Sequence, residues 1–167
     1  MDGTHRRAGT LLGTVGVALA VAGPVMLVRG RSGRKEIRTE LAAQKITFPD
    51  RGLPAELKAY AGQPVETGAE AHAYAQFIKG NLDRATGGRA YAEITAALHA
   101  AGGDDEQLSE LRQTAFMGQS LRASLMSAYQ AWQITTLVTG LGAALTGLGI
   151  ALVATADTLA PRSPNRS

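Results

Sequence analysis

Chemistry in this chain has few side chains to draw on. There are three histidines and no cysteine, which excludes thiolate nucleophiles, disulfides and cysteine metal sites. A non-haem iron centre uses two histidines and a carboxylate, with positions left open for oxygen. His5 precedes the first apolar run, so the candidate set is His72 and His99 with Glu70 or Glu93. No two histidines stand at i, i+3 or i+4 spacing, and each sits alone among alanines. The plainer readings are an exposed helix residue or a pH-sensitive contact. Ser120, Ser124 and Ser127 lie outside any nucleophile elbow and have no paired base; they read as residues that ease helix contacts. Asp104, Asp105 and Glu106 offer weak cation binding, but an N-terminal cap that complements a helix dipole is simpler. No cofactor is expected.

The glycine-rich stretch GLGAALTGLG, residues 140–149, resembles a dinucleotide loop only in composition. That loop needs a preceding strand, a following amphipathic helix and an acidic residue further on. Here the glycines sit inside a run from Ala123 to Ala156 that contains no charge. As one helix it would be about 50 Å long, against a bilayer core of ~30 Å. The run therefore divides into a helical extension, residues 123–133, and a transmembrane helix over 134–156. Tyr129 and Trp132 fall at its entry, where amphipathic rings favour the headgroup level. A first uncharged run, Ala8 to Val28, is bracketed by Arg7 and Arg29. It is long enough to cross a membrane. The alternative is a cleaved signal peptide with a basic start at His5, Arg6 and Arg7. Arginines follow the run where a small-residue cleavage site would stand, so an uncleaved helix over 8–28 is the expectation. Pro24 is tolerated near its end.

Small residues recur along both spans. In the second, Thr135, Thr139, Ala143, Gly147, Ala151 and Thr155 come every four residues, broadened by Gly140 and Ala144. In the first, Gly9, Gly13, Gly16, Ala20 and Gly23 follow a 4, 3, 4, 3 spacing. Helices in lipid associate through close backbone approach and weak hydrogen bonds, so these stripes predict packing of the spans on each other or on a second copy. Replacing Gly147 with leucine is expected to weaken it.

Between the spans the pattern is helical. Residues 1–7 form an N-terminal tail, 29–45 a basic juxtamembrane segment, and 46–66 an irregular linker with Pro49, Pro54 and Pro64. A helical extramembrane domain occupies 67–122, and residues 157–167 read as a disordered C-terminal tail. Within the domain Ala71, Ala75, Ile78 and Leu82 share one face of a helix that stops at Gly87 and Gly88. Tyr91, Ile94 and Leu98 mark a second helix ended by Gly102 and Gly103. Asp104 with Gln107 suggests a capping box opening a third helix, with Leu108, Leu111 and Ala115 on one side. The corner ATGGRAYAE reads as a tight helix–turn–helix connection. A binding corner built from Gly87, Gly88, Arg89 and Tyr91 is the alternative.

The blocks AYAQFIKGNLDRATGGRAYAEI and GQSLRASLMSAYQAWQITTLVTGLG, preceded by QKITFPD, resemble a family of small actinobacterial membrane proteins with two transmembrane helices. The similarity covers roughly residues 41–150. Some members carry the label "aromatic ring-opening dioxygenase", which would imply the iron site weighed above. This chain departs from the pattern in its arginine-rich stretch after the first helix and in GGDDEQ near residue 104.

Arg29, Arg31, Arg34, Lys35 and Arg38 follow the first span. They suit lipid phosphates, which attract juxtamembrane basic residues by about 1 kcal/mol each. A nucleic-acid binder would spread basic residues over a face and interleave aromatics, so no nucleic-acid partner is expected. Five basic residues after the span against two before it place the middle domain in the cytoplasm with both termini outside; an external domain is the competing topology. The expected architecture is an all-α membrane protein, two transmembrane helices flanking a small helical extramembrane domain. Its expected role is a non-enzymatic scaffold or accessory subunit in the cell membrane, as a homo-oligomer or in a larger complex. A ligand sensor or a metal-dependent enzyme are the alternatives.

Overall fold

A computed structural model describes the backbone of residues 2–159 and the side chains of 7–158. The C-terminal tail expected over 157–167 is helical as far as Leu159, and its remainder, 160–167, lies outside the described residues, as does the His5 side chain. The N-terminal tail expected over 1–7 is helical from Asp2. The described chain is all-α, with four α-helices: α1 (Asp2–Ala43), α2 (Gly68–Thr86), α3 (Tyr91–Ala100) and α4 (Glu106–Leu159). Both α1 and α4 are long and apolar enough to cross a membrane, and they flank a small helical region. The chain divides into two compact units. One combines residues 1–34 with 134–167, and the other is Lys35–Gln133.

In the first unit α1 and α4 run antiparallel. A Cβ at Gly13 would stand 3.5 Å from that of Ala156, one at Gly16 would meet Val153, and one at Gly33 would stand 3.1 Å from Thr135. The backbones of the two helices also approach each other closely. A Cβ at Gly142 would lie 2.8 Å from the Gly23 carbonyl oxygen, and one at Gly149 would lie 2.7 Å from that of Gly16. The buried residues of this unit, among those described, are Gly16, Gly23, Gly30, Gly142 and Gly149, all glycines. Larger side chains project outward: Leu11 is 67% exposed, Leu137 73% and Ile150 60%. Thr139 and Thr146 sit between the helices. Each hydroxyl donates to its own helix four residues back, to the carbonyls of Thr135 and Gly142 at 2.7 Å. A polar group satisfied in this way needs no water. Pro24 lies within α1 and contributes no N–H to the ladder, yet the helix continues through it.

The residues of α4 that contact α1 follow the expected four-residue stripe only in part. Thr135 and Thr139 face α1, but the seam then steps to Gly142, Thr146, Gly149 and Val153. Gly140, Ala143, Gly147 and Ala151 are exposed, and nothing lies within 4 Å of a Cβ built at Gly140 or Gly147. Strict spacing of four turns a stripe by about 40° per step, whereas alternating 4 and 3 averages 3.5 and stays on one face. The expected effect of a leucine at Gly147 on α1–α4 packing therefore passes to Gly149. In α1, Gly13, Gly16, Ala20 and Gly23 meet α4, and the contacts continue past Arg29 to Gly30 and Gly33.

The second unit has its own core. Leu41 from the end of α1, Leu125 from α4 and Ala71, Ala73 and Ala75 from α2 are buried together with Phe48, Leu53, Leu57 and Val65. The last four come from the stretch 46–66, which has little regular structure yet supplies nearly half of the cluster. Two hydrogen bonds pin it, Phe48 N–H to the Gln63 carbonyl and Val65 N–H to the Ile46 carbonyl, both 2.9 Å. A 3₁₀ helix, Ala55–Tyr60, lies between them. Phe48 stacks on Tyr60 at 5.2 Å and meets Tyr74 edge-on at 5.0 Å.

Local chemistry sets the helix ends. Thr67 caps α2 in a reciprocal box with Glu70, whose carboxylate accepts the Thr67 N–H at 2.8 Å. Gly87 ends the helix in the left-handed region at φ 62°, and the Gly88 N–H reaches back to the Asp83 carbonyl at 2.8 Å. The acidic run caps α4 one residue later than expected. Asp105 Oδ1, not Asp104, accepts the Leu108 N–H at 3.0 Å, so Gln107 falls inside the first turn.

Candidate functional site

An open cleft of about 800 Å³ lies within the second unit. One face of α2 forms part of its lining, through Ala69, His72, Ala73, Gln76 and Gly80. Positions three and four apart share a helix face, and alanine and glycine leave that face shallow. Leu57 and Tyr60 of the 3₁₀ helix line it too, as do Tyr129 and Gln133 of α4.

Four side chains make a continuous string between α2 and α4. The Gln76 amide nitrogen lies 3.4 Å from His72 Nε2. The His72 ring packs on the Tyr129 ring at 4.6 Å between centroids. The Gln133 amide donates to the Tyr129 hydroxyl at 2.8 Å. Each member restrains the next, so the cleft presents groups held in place rather than free rotamers. Lys79 at its margin is paired with Asp83 at 2.9 Å, one helical turn on, with both side chains about half exposed. Glu56 supplies a carboxylate. The lining thus offers two tyrosine rings, an imidazole, two carboxamides, a carboxylate and an ammonium that already has a partner.

The structure separates the other residues singled out above. Among the described residues no group of three or more His, Asp or Glu side chains comes together to hold a metal ion. His72 is engaged with Tyr129, and His99 is exposed near the end of α3. Ser120, Ser124 and Ser127 are exposed, and Ser124 donates to the Ser120 carbonyl of its own helix. At the corner, the Arg89 guanidinium turns back to donate to the Thr86 carbonyl at 3.2 Å. Tyr91 packs near Phe116 at 5.9 Å, and Gly87 and Gly88 face open space. Arg89 and Tyr91 are thus both used within the fold. All five basic residues of the expected headgroup set lie on α1. Arg29, Arg31 and Lys35 are exposed, Arg34 donates to the Thr136 hydroxyl at 2.9 Å, and Arg38 pairs with Glu66.

The sequence offers His72 as a possible partner of His99, and Tyr129 as a ring at a membrane entry, with nothing that joins His72 to Tyr129. Their meeting depends on α2 and α4 lying side by side, which no local pattern encodes. The spacing of Ala69, His72, Ala73, Gln76 and Gly80 on one face was the available signal. Comparison of the chain with protein-family models, curated proteins and solved structures finds no match.

Proposed function

We propose that the chain is an integral protein of the cell membrane with two spans, and that it acts without catalysis, as a scaffold or accessory subunit. One observation carries this reading. The α1–α4 contact buries glycines and turns most of its leucines, valines and isoleucines outward. Only 11% of the residues in each apolar window are buried. Exposed apolar surface costs roughly 25 cal/mol per Å² in water and nothing comparable in hydrocarbon. Small residues at a helix seam are the means by which helices associate in lipid. Neither uncharged run carries the intramembrane charge that ion or proton pathways use.

In this reading Arg29, Arg31 and Lys35 meet anionic headgroups, and the unit Lys35–Gln133 lies in the cytoplasm. The small residues that face away from α1 on α4, Gly140, Ala143, Gly147 and Ala151, are where a second copy or a partner helix would pack. Co-purification in mild detergent tests the role: a homo-oligomer or a stable larger complex supports it, and a lone monomer counts against it. Labelling of a Gln107→Cys variant in intact cells tests the sidedness, with protection from an impermeant reagent expected.

A second reading, a membrane-bound ligand sensor, is favoured by the cleft and its string of braced side chains.

A further inference from the structure

We infer that the cleft lined by His72, Gln76, Tyr129 and Gln133 is a binding site for a neutral sugar ring. The inference rests on the ligand-binding reading of the cleft and assigns the class of ligand. Charge excludes the first competitor. The lining carries one ammonium, Lys79, already paired with Asp83, and one carboxylate, Glu56, beside the His72 imidazole, so its formal charges give a phosphate or carboxylate no net attraction. Metal binding lacks the grouped ligands it needs among the described residues. An apolar molecule would be poorly served by an open cleft in which carboxamides, hydroxyls and a carboxylate would lose water unpaired.

What remains is an uncharged ligand with an apolar face and many hydroxyls. A pyranose presents C–H groups to one side and hydroxyls around its rim. Tyr60 and Tyr129 supply ring surface with a polar edge. Tyr60 is held by stacking on Phe48, and Tyr129 by His72 and Gln133. A carboxamide both donates and accepts, and a carboxylate accepts from two hydroxyls at once. Gln76, Gln133 and Glu56 are therefore suited to vicinal hydroxyls. Ala69, Ala73 and Gly80 leave room for the ring. The same chemistry can arrive as a free sugar or as the headgroup of a glycolipid.

The test uses the full chain in a detergent without a sugar headgroup. Glucose, galactose, mannose, N-acetylglucosamine and maltose are titrated while tyrosine and tryptophan fluorescence is followed. A parallel arm adds phosphatidylcholine vesicles with and without a monoglucosyl lipid. Saturable binding of at least one sugar is expected. Glu56→Ala and Gln76→Ala, both at exposed positions, should each weaken it by about tenfold, the loss of one or two hydrogen bonds, without shifting the melting temperature. Saturation in the vesicle arm alone would support the site and identify the headgroup as its source. Absence of saturation in both arms overturns the assignment, as does sugar binding unaffected by either substitution. A random heptapeptide pool captured in a Gln76-dependent manner would overturn the sugar and leave the ligand-binding reading standing.

Discussion

Gly68 opens α2 directly against the Trp132 indole: a Cβ at Gly68 would lie 2.5 Å from Trp132 Cγ and 2.6 Å from its Cβ. Alanine is ordinarily the better helix residue by up to about 1 kcal/mol. At Gly68 overpacking reverses the sign, and Gly68→Ala should destabilise the unit by about 1–3 kcal/mol. Gly80, in the same helix with nothing within 4 Å, is the control. Gly80→Ala should stabilise by about 0.5–1 kcal/mol. Thermal melting followed by circular dichroism and Trp132 fluorescence distinguishes the two. Equal shifts of the same sign would show that indole and helix are not in contact.

The α1–α4 register can be read by a cross-link. The chain has no cysteine, and a Cβ at Gly13 would stand 3.5 Å from that of Ala156, within the range a disulfide spans. Gly13→Cys with Ala156→Cys should form an intramolecular disulfide in detergent under a mild oxidant. Adding Gly149→Leu should abolish it, because that side chain enters the space held by the Gly16 carbonyl. Adding Gly147→Leu should leave the cross-link intact, since that position is open. If association proceeds through the outward face, Gly147→Leu instead lowers the apparent mass of the assembly in mild detergent.

These paired outcomes mark where sequence was sufficient and where it was not. The two apolar helices and the stops at Gly87 and Gly103 follow from charge gaps and glycine placement, which are local properties. The seam was legible in α1, where its period of 3.5 is written in glycine. In α4 two small-residue stripes overlap, and only the partner helix decides between them. Positions 118, 125, 132, 139, 146 and 153 of α4 are seven apart, and each contacts a neighbouring element or is buried. That period is hidden because glycine, leucine, tryptophan, threonine and valine fill it in turn. Residues 46–66 read as irregular because of their prolines, and irregular they largely are. Their role in the core rests on Phe48, Leu53, Leu57 and Val65, which stand at no regular spacing.

Helix caps give a local test of the second unit. Asp105 accepts the Leu108 N–H, whereas Asp104 is exposed one residue earlier. Asp105→Ala should cost about 1 kcal/mol and Asp104→Ala only a few tenths. Thr67→Ala removes half of the α2 box and should also cost about 1 kcal/mol. Denaturant unfolding reports each change as a shift in midpoint. A larger loss from Asp104 than from Asp105 would move the start of α4 back to the position expected from sequence.

The outward leucines and valines of the first unit make a final demand on solvent. Leu11, Val21, Leu137 and Ile150 are each at least 60% exposed, and none of them belongs to Lys35–Gln133. That second unit buries its own cluster of Phe48, Val65, Leu57 and Leu125. Expressed alone, residues 35–133 should be helical and melt cooperatively in detergent-free buffer. The full chain should aggregate there and become monodisperse only once detergent covers the apolar helices. If the full chain were monodisperse in plain buffer, some other surface would have to cover those side chains, and the bilayer reading would fail. If residues 35–133 were unfolded while the full chain behaved as expected, the membrane helices would be part of that unit's folding rather than its anchor.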